Sequence, residues 1–212
     1  MEPLALATPR VTSLTQCIDS VADNGWALWP GFLSADDTAA LAAHTLAVHA
    51  DGHFHRAGVG RASGLAIREG IRSDQVLWID DAPPHPVLDH YREQMDQLRE
   101  AINRALYLGL FDLESHLAVY PPGSAYERHL DRFRDDDLRT LTVVLYLNPP
   151  DWQDDDGGHL RFWAGGPDLE PIHIRPAGGT LAVFLSDRYW HAVEPARRTR
   201  LSVTGWFRRR PV

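Results

Sequence analysis

Apolar residues recur along this chain with two different periods. After Pro86, apolar side chains return every three or four residues, at Leu88, Tyr91, Met95, Leu98, Ile102 and Leu106. This spacing predicts one long helix whose single apolar stripe lies against a sheet. From residue 116 onward the period falls to two, which is typical of β-strands. The predicted strands are 116–120, 140–148, 159–163, 171–175, 180–186 and 200–208.

Turn sequences separate those strands and indicate the class of fold. Each gap holds Pro or Gly residues, at 121–123, 148–150, 157–158, 165–167 and 177–179. Many short strands at this spacing predict a mainly β protein, an antiparallel sandwich or jelly roll with flanking helices. Upstream, short strands are predicted at 26–29 and 76–79, and an Ala-rich helix is predicted from Ser34 to about His49.

Composition narrows the functional classes before any motif is considered. The 212 residues contain no lysine, which excludes Schiff-base chemistry, pyridoxal phosphate attachment and a P-loop. A net charge of −8 argues against nucleic acid as a partner. Cys17 is the only cysteine, which excludes a disulfide scaffold and is expected in a reducing cytoplasm. No apolar run reaches the roughly 18 residues of a membrane span, so no membrane partner is expected.

Two histidines and one carboxylate form the candidate metal site. His129 and Asp131 lie at i and i+2, so in extended chain they point to the same face. With His191 they would make a facial triad, which leaves three metal positions open and suits Fe(II). An H-x-D tripeptide alone is a weak signal, and His129 beside Arg128 is also consistent with an ordinary surface histidine.

The C-terminal strand alternates between a polar and an apolar face. The polar face carries Arg200, Ser202, Thr204 and Trp206, and the apolar face carries Leu201, Val203, Gly205 and Phe207. If the apolar face packs in the core, the polar face is simply solvated. If the polar face instead lines a barrel, Arg200 is a buried guanidinium that needs an anion, and its fork matches a carboxylate. Tyr146, on the strand 140–148, could offer a hydroxyl to a ligand in that cavity.

These residues and the segments around them resemble the signature of the Fe(II)- and 2-oxoglutarate-dependent oxygenases. The core of the resemblance is His129-x-Asp131, His191 and Arg200-x-Ser202. More narrowly, the chain resembles the prolyl hydroxylase branch, including the hypoxia-type enzymes and their bacterial relatives. The segments that carry this likeness include Tyr120-Pro121-Pro122-Gly123, Leu145-Tyr146-Leu147-Asn148, Gly157-Gly158-His159-Leu160, Ser186-Asp187-Arg188 and Ile71-Arg72-Ser73-Asp74.

The resemblance implies a fold and a role for each residue. The fold is a double-stranded β-helix, a cupin-like jelly roll, with N-terminal helices packed on one sheet. Residues 1–212 would form a single oxygenase domain, with helical support in 1–115 and the jelly-roll core in 116–210. The implied Fe(II) ligands are His129, Asp131 and His191. Arg200 would bind the far carboxylate of 2-oxoglutarate, helped by the Tyr146 hydroxyl and by Thr142 or Ser202, and Tyr120 would approach the iron site. The substrate side would hold Arg139, Trp206, Arg72 and Asp74, the last two as a surface ion pair.

The resemblance also implies an activity. This activity is O2- and 2-oxoglutarate-dependent hydroxylation of a prolyl residue in a protein, giving succinate and CO2, with ascorbate as the reductant. The partner would be a protein with an exposed proline loop, such as elongation factor Tu. Loops 51–75, the expected lid, and 132–138 would select it. Two other functions stay open, hydroxylation of a free amino acid or small metabolite, and a non-catalytic sensor of iron or 2-oxoglutarate. The intact triad and Arg200 argue against the sensor.

Overall fold

The computed structural model describes residues 8–57, 72–132 and 138–211. These residues form the α-helices α1 (Leu14–Asn24), α2 (Ala35–Ala50) and α3 (Pro86–Leu106). The strands that precede the candidate site are β1 (Trp26–Trp29), β2 (His55–Arg56), β3 (Gln75–Trp78) and β4 (Leu110–Tyr120). The strands that follow are β5 (Tyr126–His129), β6 (Arg139–Tyr146), β7 (Leu160–Phe162), β8 (Ile172–Ile174), β9 (Leu181–Leu185), β10 (His191–Val193) and β11 (Arg200–Arg209).

The strands pair into two antiparallel sheets. The major sheet has seven strands in the order β1-β9-β6-β11-β4-β3-β2, and the minor sheet has four in the order β5-β10-β7-β8. β11 lies inside the major sheet and pairs along its length with both β4 and β6. This arrangement is the mainly β jelly roll that the strand spacing predicts.

The three helices belong to one hydrophobic core with the major sheet. The stripe on α3 is buried, and it shares a core with Cys17 of α1 and Leu41 of α2. Side chains from one face of the major sheet complete this core, among them Leu117, Val143, Val183 and Val203. The predicted packing of the helix stripe against a sheet is therefore confirmed. No helix among the described residues has the length and apolar character needed to cross a membrane.

A second core lies between the two sheets, and it decides how β11 is oriented. Leu201, Val203 and Phe207 point toward the helices. The opposite face of β11 therefore points toward the minor sheet, because successive side chains of a strand alternate. Arg200, Ser202, Thr204 and Trp206 accordingly line a cavity between the sheets. Of the two alternatives for this strand, the one with the polar face inside the barrel is correct.

The pattern of the sequence missed four short or displaced elements. α1 was not predicted, although Ser13 caps it by accepting a hydrogen bond from the Gln16 amide and Gly25 ends it with φ of 80°. β4 begins at Leu110, six residues before the predicted strand. β5 and β10 were not predicted, because their residues, Tyr126–His129 and His191–Val193, show no alternation of apolar and polar side chains. Residues 58–71 of the expected lid and residues 133–137 lie outside the described residues.

His116 of β4 is an imidazole held uncharged inside the protein. Its ring is buried between Trp78 and Trp206, with ring centroids 5.2 and 5.5 Å away. The Nε2 atom lies 3.4 Å from Nη2 of Arg72, which donates to it, and Nδ1 lies 3.3 Å from the Leu117 carbonyl oxygen. Burial, aided by the charge of Arg72, lowers the pKa of His116 to about 3.

This pKa makes the stability of the fold depend on pH. Between the ordinary pKa of a histidine and about pH 3, the unfolded chain holds a proton on His116 that the folded chain does not, so acidification favours unfolding. The residue should contribute a slope of about 1.4 kcal/mol per pH unit to the free energy of unfolding. His116→Gln should make the free energy of unfolding depend less steeply on pH between about pH 6 and about pH 4, as measured by urea denaturation at several pH values. Parallel curves for wild type and variant would contradict this account.

Candidate metal centre

Short strands of the minor sheet bring the three predicted metal ligands together. His129 ends β5 and pairs across the ladder with His191, the first residue of β10. Asp131 follows two residues after His129, and one ligand atom from each of the three side chains lies within 4.8 Å of the others. The Nε2 atoms of His129 and His191 lie 3.5 and 3.4 Å from the Asp131 carboxylate oxygens.

Backbone carbonyl groups orient both imidazoles. His129 Nδ1 lies 2.8 Å from the Glu127 oxygen, and His191 Nδ1 lies 3.0 Å from the Tyr189 oxygen. Because a carbonyl only accepts, each Nδ1 carries the proton, and each Nε2 lone pair faces Asp131. This is the usual arrangement for metal-binding histidines, whose second nitrogen donates to a neighbouring acceptor. Burial lowers the pKa of His191 to about 4, so the ring is neutral at pH 7.

Asp131 remains anionic although it is buried. Burial alone would raise its pKa, but the electrostatic influence of the neighbouring His191 and His129 rings and of Arg139 holds the pKa well below its usual range. The Thr142 hydroxyl donates to Asp131 Oδ2 over 2.8 Å and also contacts Ser186 Oγ. The donor set is therefore two neutral imidazoles and one fixed carboxylate, which fits Fe(II) with open positions for other ligands.

Arg200 is a buried guanidinium without an anionic partner among the described residues. It is 1 % exposed, its Nε donates to the Gly158 carbonyl oxygen over 2.9 Å, and its Nη1 donates to Ser202 Oγ over 3.3 Å. The guanidinium carbon also lies 4.9 Å from the ring centroid of Tyr120 and 5.3 Å from that of Tyr146. The Tyr146 hydroxyl is buried and has no hydrogen-bond partner in the described structure. An uncompensated cation beside an unused hydroxyl fits the carboxylate of a ligand.

Gly158 allows Arg200 to take this position. Its φ is 70°, a region that other residues rarely adopt, and an added Cβ would lie 3.0 Å from Arg200 Cδ and 3.1 Å from the Ala196 Cβ. The carbonyl of the same residue accepts from Arg200 Nε. The Gly157-Gly158 pair noted in the sequence therefore has a steric role beside the guanidinium.

One cavity joins Arg200 to the three metal ligands. Its lining includes Arg200 and Ser202, which belong to β11 of the major sheet, together with His129, Asp131 and His191 on the side of the minor sheet. The remaining lining residues are Arg72, Tyr120, Tyr126, Val144, Leu160, Val193, Thr204 and Trp206. A ligand with two acidic ends could therefore contact the metal ligands and the guanidinium at the same time.

The structure places most of the expected cosubstrate residues near Arg200, but not Thr142. Tyr120, Tyr146 and Ser202 surround the guanidinium. Thr142 pairs with Trp206 in the ladder, six residues along β11 from Arg200, and its hydroxyl is committed to Asp131 and Ser186. The assignment of Thr142 to the far carboxylate is therefore corrected, because this side chain supports a metal ligand.

The expected substrate residues divide into two groups. Trp206 and Arg72 line the cavity, whereas Asp74 and Arg139 lie behind its wall. Arg72 and Asp74 form a two-pronged ion pair at 2.6 and 2.8 Å, with side chains 11 % and 0 % exposed. The expectation of a surface pair is wrong, because the pair is buried. Arg139 donates to Glu114 Oε1 over 2.7 Å and to the Asp131 carbonyl oxygen over 3.4 Å.

Two side chains around the metal ligands, Tyr126 and Ser186, had no role assigned from the sequence. Tyr126 stacks on the His129 ring with 3.7 Å between ring centroids, and the Arg72 guanidinium lies 4.7 Å from the Tyr126 centroid. Ser186 fixes the Thr142 hydroxyl. Tyr126 and His129 are the first and last residues of β5, and no period of the sequence indicates that their rings stack.

Fold and site together define a class of protein. A jelly roll that presents two histidines and one carboxylate on one side of an open metal position is the arrangement of non-haem Fe(II) oxygenases. A family model described as the 2OG-Fe(II) oxygenase superfamily matches residues 115–208. The crystal structure of a Pseudomonas putida prolyl-4-hydroxylase matches with a TM-score of 0.83 and 47 % identity, over 94 % of this chain and 100 % of that chain. The chain therefore belongs to the 2OG-Fe(II) oxygenase superfamily, and the resemblance seen in the sequence is confirmed.

Other matches come from animals, and two of them are named as prolyl hydroxylases. A Trichoplax adhaerens prolyl hydroxylase, solved with a hypoxia inducible factor peptide fragment, matches with a TM-score of 0.81 and 27 % identity, over 92 % of this chain and 88 % of that chain. Human Egl nine homolog 1 is 33 % identical over 65 % of this chain. Human prolyl hydroxylase EGLN3 is 32 % identical over 70 %. The matches span 33 % and 63 % of the lengths of these two human proteins.

The Thr142 hydroxyl should contribute directly to metal affinity. Thr142→Val removes the donor to Asp131 Oδ2 without a large change in volume. We expect metal affinity to fall about 10- to 100-fold, as is usual when a partner of a metal ligand is lost. Titration calorimetry with Mn(II) measures this change. Thr140→Val is the matched control, since Thr140 lies on the same strand and bonds to the Leu138 carbonyl. Equal losses in both variants would contradict the assignment.

Proposed function

We propose that this protein catalyses the 2-oxoglutarate- and O2-dependent hydroxylation of a prolyl residue in a protein, giving succinate and CO2. The observation that carries the proposal is the single cavity that joins the triad to the unpaired guanidinium of Arg200. The 47 % identity to a prolyl-4-hydroxylase over that whole chain supports the prolyl substrate. The proposal treats residues 1–212 as one oxygenase domain.

The chain's own residues would hold iron and cosubstrate at opposite ends of the cavity. His129, Asp131 and His191 would bind Fe(II) through Nε2, a carboxylate oxygen and Nε2. Fe(II) bound there, together with 2-oxoglutarate and O2, supplies the oxidising chemistry, and ascorbate would be the reductant. The guanidinium of Arg200 would pair with the far carboxylate of 2-oxoglutarate, and the Tyr146 hydroxyl would donate to it.

Apolar side chains would keep water out of the reacting region. Val144, Leu160 and Val193 belong to the lining of the same cavity. Charges and hydrogen bonds act more strongly where water is excluded, so these residues would favour tight binding of the carboxylate by Arg200. Tyr120, whose ring lies beside the guanidinium, would close the same end.

Trp206 and the ion pair of Arg72 with Asp74 would form the substrate side. The indole Nε1 of Trp206 is buried and has no hydrogen-bond partner among the described residues, so it would donate to a group that enters the cavity. The Arg139 guanidinium lies 3.6 Å from the Trp206 ring centroid and would fix its orientation. Arg72, held by Asp74, would form the adjoining wall.

A protein rather than a free amino acid is the proposed substrate. The relatives above are prolyl hydroxylases, and one of them was solved with a peptide fragment. Within this proposal the target is a loop with an exposed proline, and elongation factor Tu is the first to test. A reducing cytoplasm, expected from the lone Cys17, would keep the iron ferrous.

Turnover and the site of oxidation test the proposal together. Purified protein with Fe(II), 2-oxoglutarate and ascorbate should form succinate, and formation should rise when elongation factor Tu is added. Peptide mass spectrometry should find one added oxygen atom on a prolyl residue. His129→Ala should abolish both signals because it removes a metal ligand.

Three outcomes would contradict parts of this proposal. Absence of succinate with every proline-containing peptide tested would refute the enzymatic function. Succinate that rises only with a free amino acid would replace the protein substrate by a small one. Full turnover by His129→Ala would show that the metal ligand is wrong.

A further inference from the structure

The strand that carries His129 is weakly held by the sheet itself. β5 is four residues long and lies at the edge of the minor sheet, where β10 is its only ladder partner among the described residues. On its other side Tyr126 forms a single bridge with Arg72. The ladder between β5 and β10 is also irregular, because the register shifts between His191 and Val193. Edge strands have unpaired backbone groups on one side. The ladder alone is therefore a short hold on His129, and side-chain contacts such as the stacking of Tyr126 on its ring add to it.

Arg128, the residue before His129, reaches across the sheet. It lies on the opposite face of β5 from the metal ligand, because neighbouring side chains of a strand alternate. Its Nη2 donates to the Pro167 carbonyl oxygen over 2.6 Å. Its guanidinium carbon lies 4.3 Å from the ring centroid of Trp163 and 5.1 Å from that of Trp190. Arg128 thus connects the edge strand to the segment that follows β7.

The two tryptophans connect Arg128 to the other histidine ligand. Trp190 directly precedes His191, so each histidine of the triad follows a residue of this cluster. The Trp163 amide donates to the Trp190 carbonyl oxygen over 3.0 Å, which joins the two tryptophans through the backbone. Trp163 is buried although it lies on the outer face of the sheet. Guanidinium groups stack favourably on indole rings, and the fork of arginine can donate a hydrogen bond at the same time.

We propose that Arg128, Trp163 and Trp190 form an outer clamp that holds His129 and His191 at metal-binding distance. Arg128 is a positioning residue, since it acts on the metal through His129 and touches neither the cavity nor the ligands' nitrogen atoms. The inference rests on the proposed function only in taking His129, Asp131 and His191 as the metal ligands. If the clamp acts in this way, metal affinity depends on the shape of the side chain at position 128, and a positive charge alone is not sufficient to maintain that affinity.

Metal binding by three variants of the resting protein tests the clamp. Arg128→Gln removes the guanidinium, and with it the stacking on the indole rings and the hydrogen bond to the Pro167 carbonyl. Arg128→Lys keeps the positive charge but lacks the planar guanidinium. Arg161→Gln is the matched control, because Arg161 also lies 5.0 Å from the Trp163 ring but projects from β7, which carries no metal ligand. Mn(II) affinity is measured by titration calorimetry without substrate or cosubstrate. The visible spectrum of the Co(II) form reports ligand geometry, and thermal unfolding of the metal-free protein reports stability.

The expected result separates positioning from general stability. Arg128→Gln should weaken Mn(II) binding about 10-fold and change the Co(II) spectrum. Arg128→Lys should recover only part of the affinity, and Arg161→Gln should match wild type. The unfolding temperature of the metal-free protein should be the same in all three. Should Arg128→Gln fail to fold, Trp190→Leu replaces it, with the same loss expected.

Two results would overturn the clamp. Unchanged Mn(II) affinity in the Arg128 variants would show that the ladder alone positions His129. An equal loss in Arg161→Gln would show a general effect of the tryptophan cluster. The proposed reaction is judged separately, since wild-type protein that binds Mn(II) but hydroxylates no proline would refute the prolyl substrate and leave this inference standing.

Discussion

The free-energy cost of burying the Arg200 guanidinium is the constraint on which the rest of the site depends. A charge taken out of water without a partner is strongly destabilising, and removing one partner of a buried pair costs several kcal/mol. The described residues supply Arg200 with a carbonyl, a hydroxyl and two aromatic rings, but no carboxylate. The fold tolerates this because β11 lies inside a sheet whose other face packs on the helices. Under the proposed function, the far carboxylate of 2-oxoglutarate would supply the missing anion.

The residues around the Arg200 guanidinium and the histidines of the metal site lie on different sheets. Arg200, Tyr146 and Ser202 lie on the major sheet, whereas His129 and His191 lie on the minor sheet. The cavity between the sheets therefore has a cationic end and a metal-binding end whose separation is fixed by sheet packing. Thr142 of the major sheet bridges this division, because its hydroxyl reaches Asp131 beside the minor sheet. The metal ligands are thereby oriented by contacts from both sheets.

The sequence predicted the features that depend on periodicity. The stripe of α3 extends over many residues and identified the buried face of that helix correctly. The alternation along β11 separated its two faces but left open which of them lies inside the barrel, and both are buried. The family resemblance added the roles of residues that no period distinguishes. α1 was missed because its last two residues belong to the sequence Asp23-Asn24-Gly25, which predicts a turn rather than a helix. β5 and β10 were missed because their residues, Tyr126–His129 and His191–Val193, show no alternation of apolar and polar side chains.

The errors concern contacts between distant parts of the chain. Thr142 was assigned to the wrong end of the cavity, since only strand register shows that it lies opposite Trp206. The pair Arg72 with Asp74 was expected at the surface, because its burial depends on β4 and on Tyr126 of β5.

Comparing 2-oxoglutarate with 2-oxopentanoate, which lacks the far carboxylate, tests the central role of Arg200 most directly. By titration calorimetry on the Mn(II)-loaded protein, 2-oxoglutarate should bind at least about 30-fold more tightly, corresponding to about 2 kcal/mol for a buried charge pair. Equal affinities for the two acids would contradict the account.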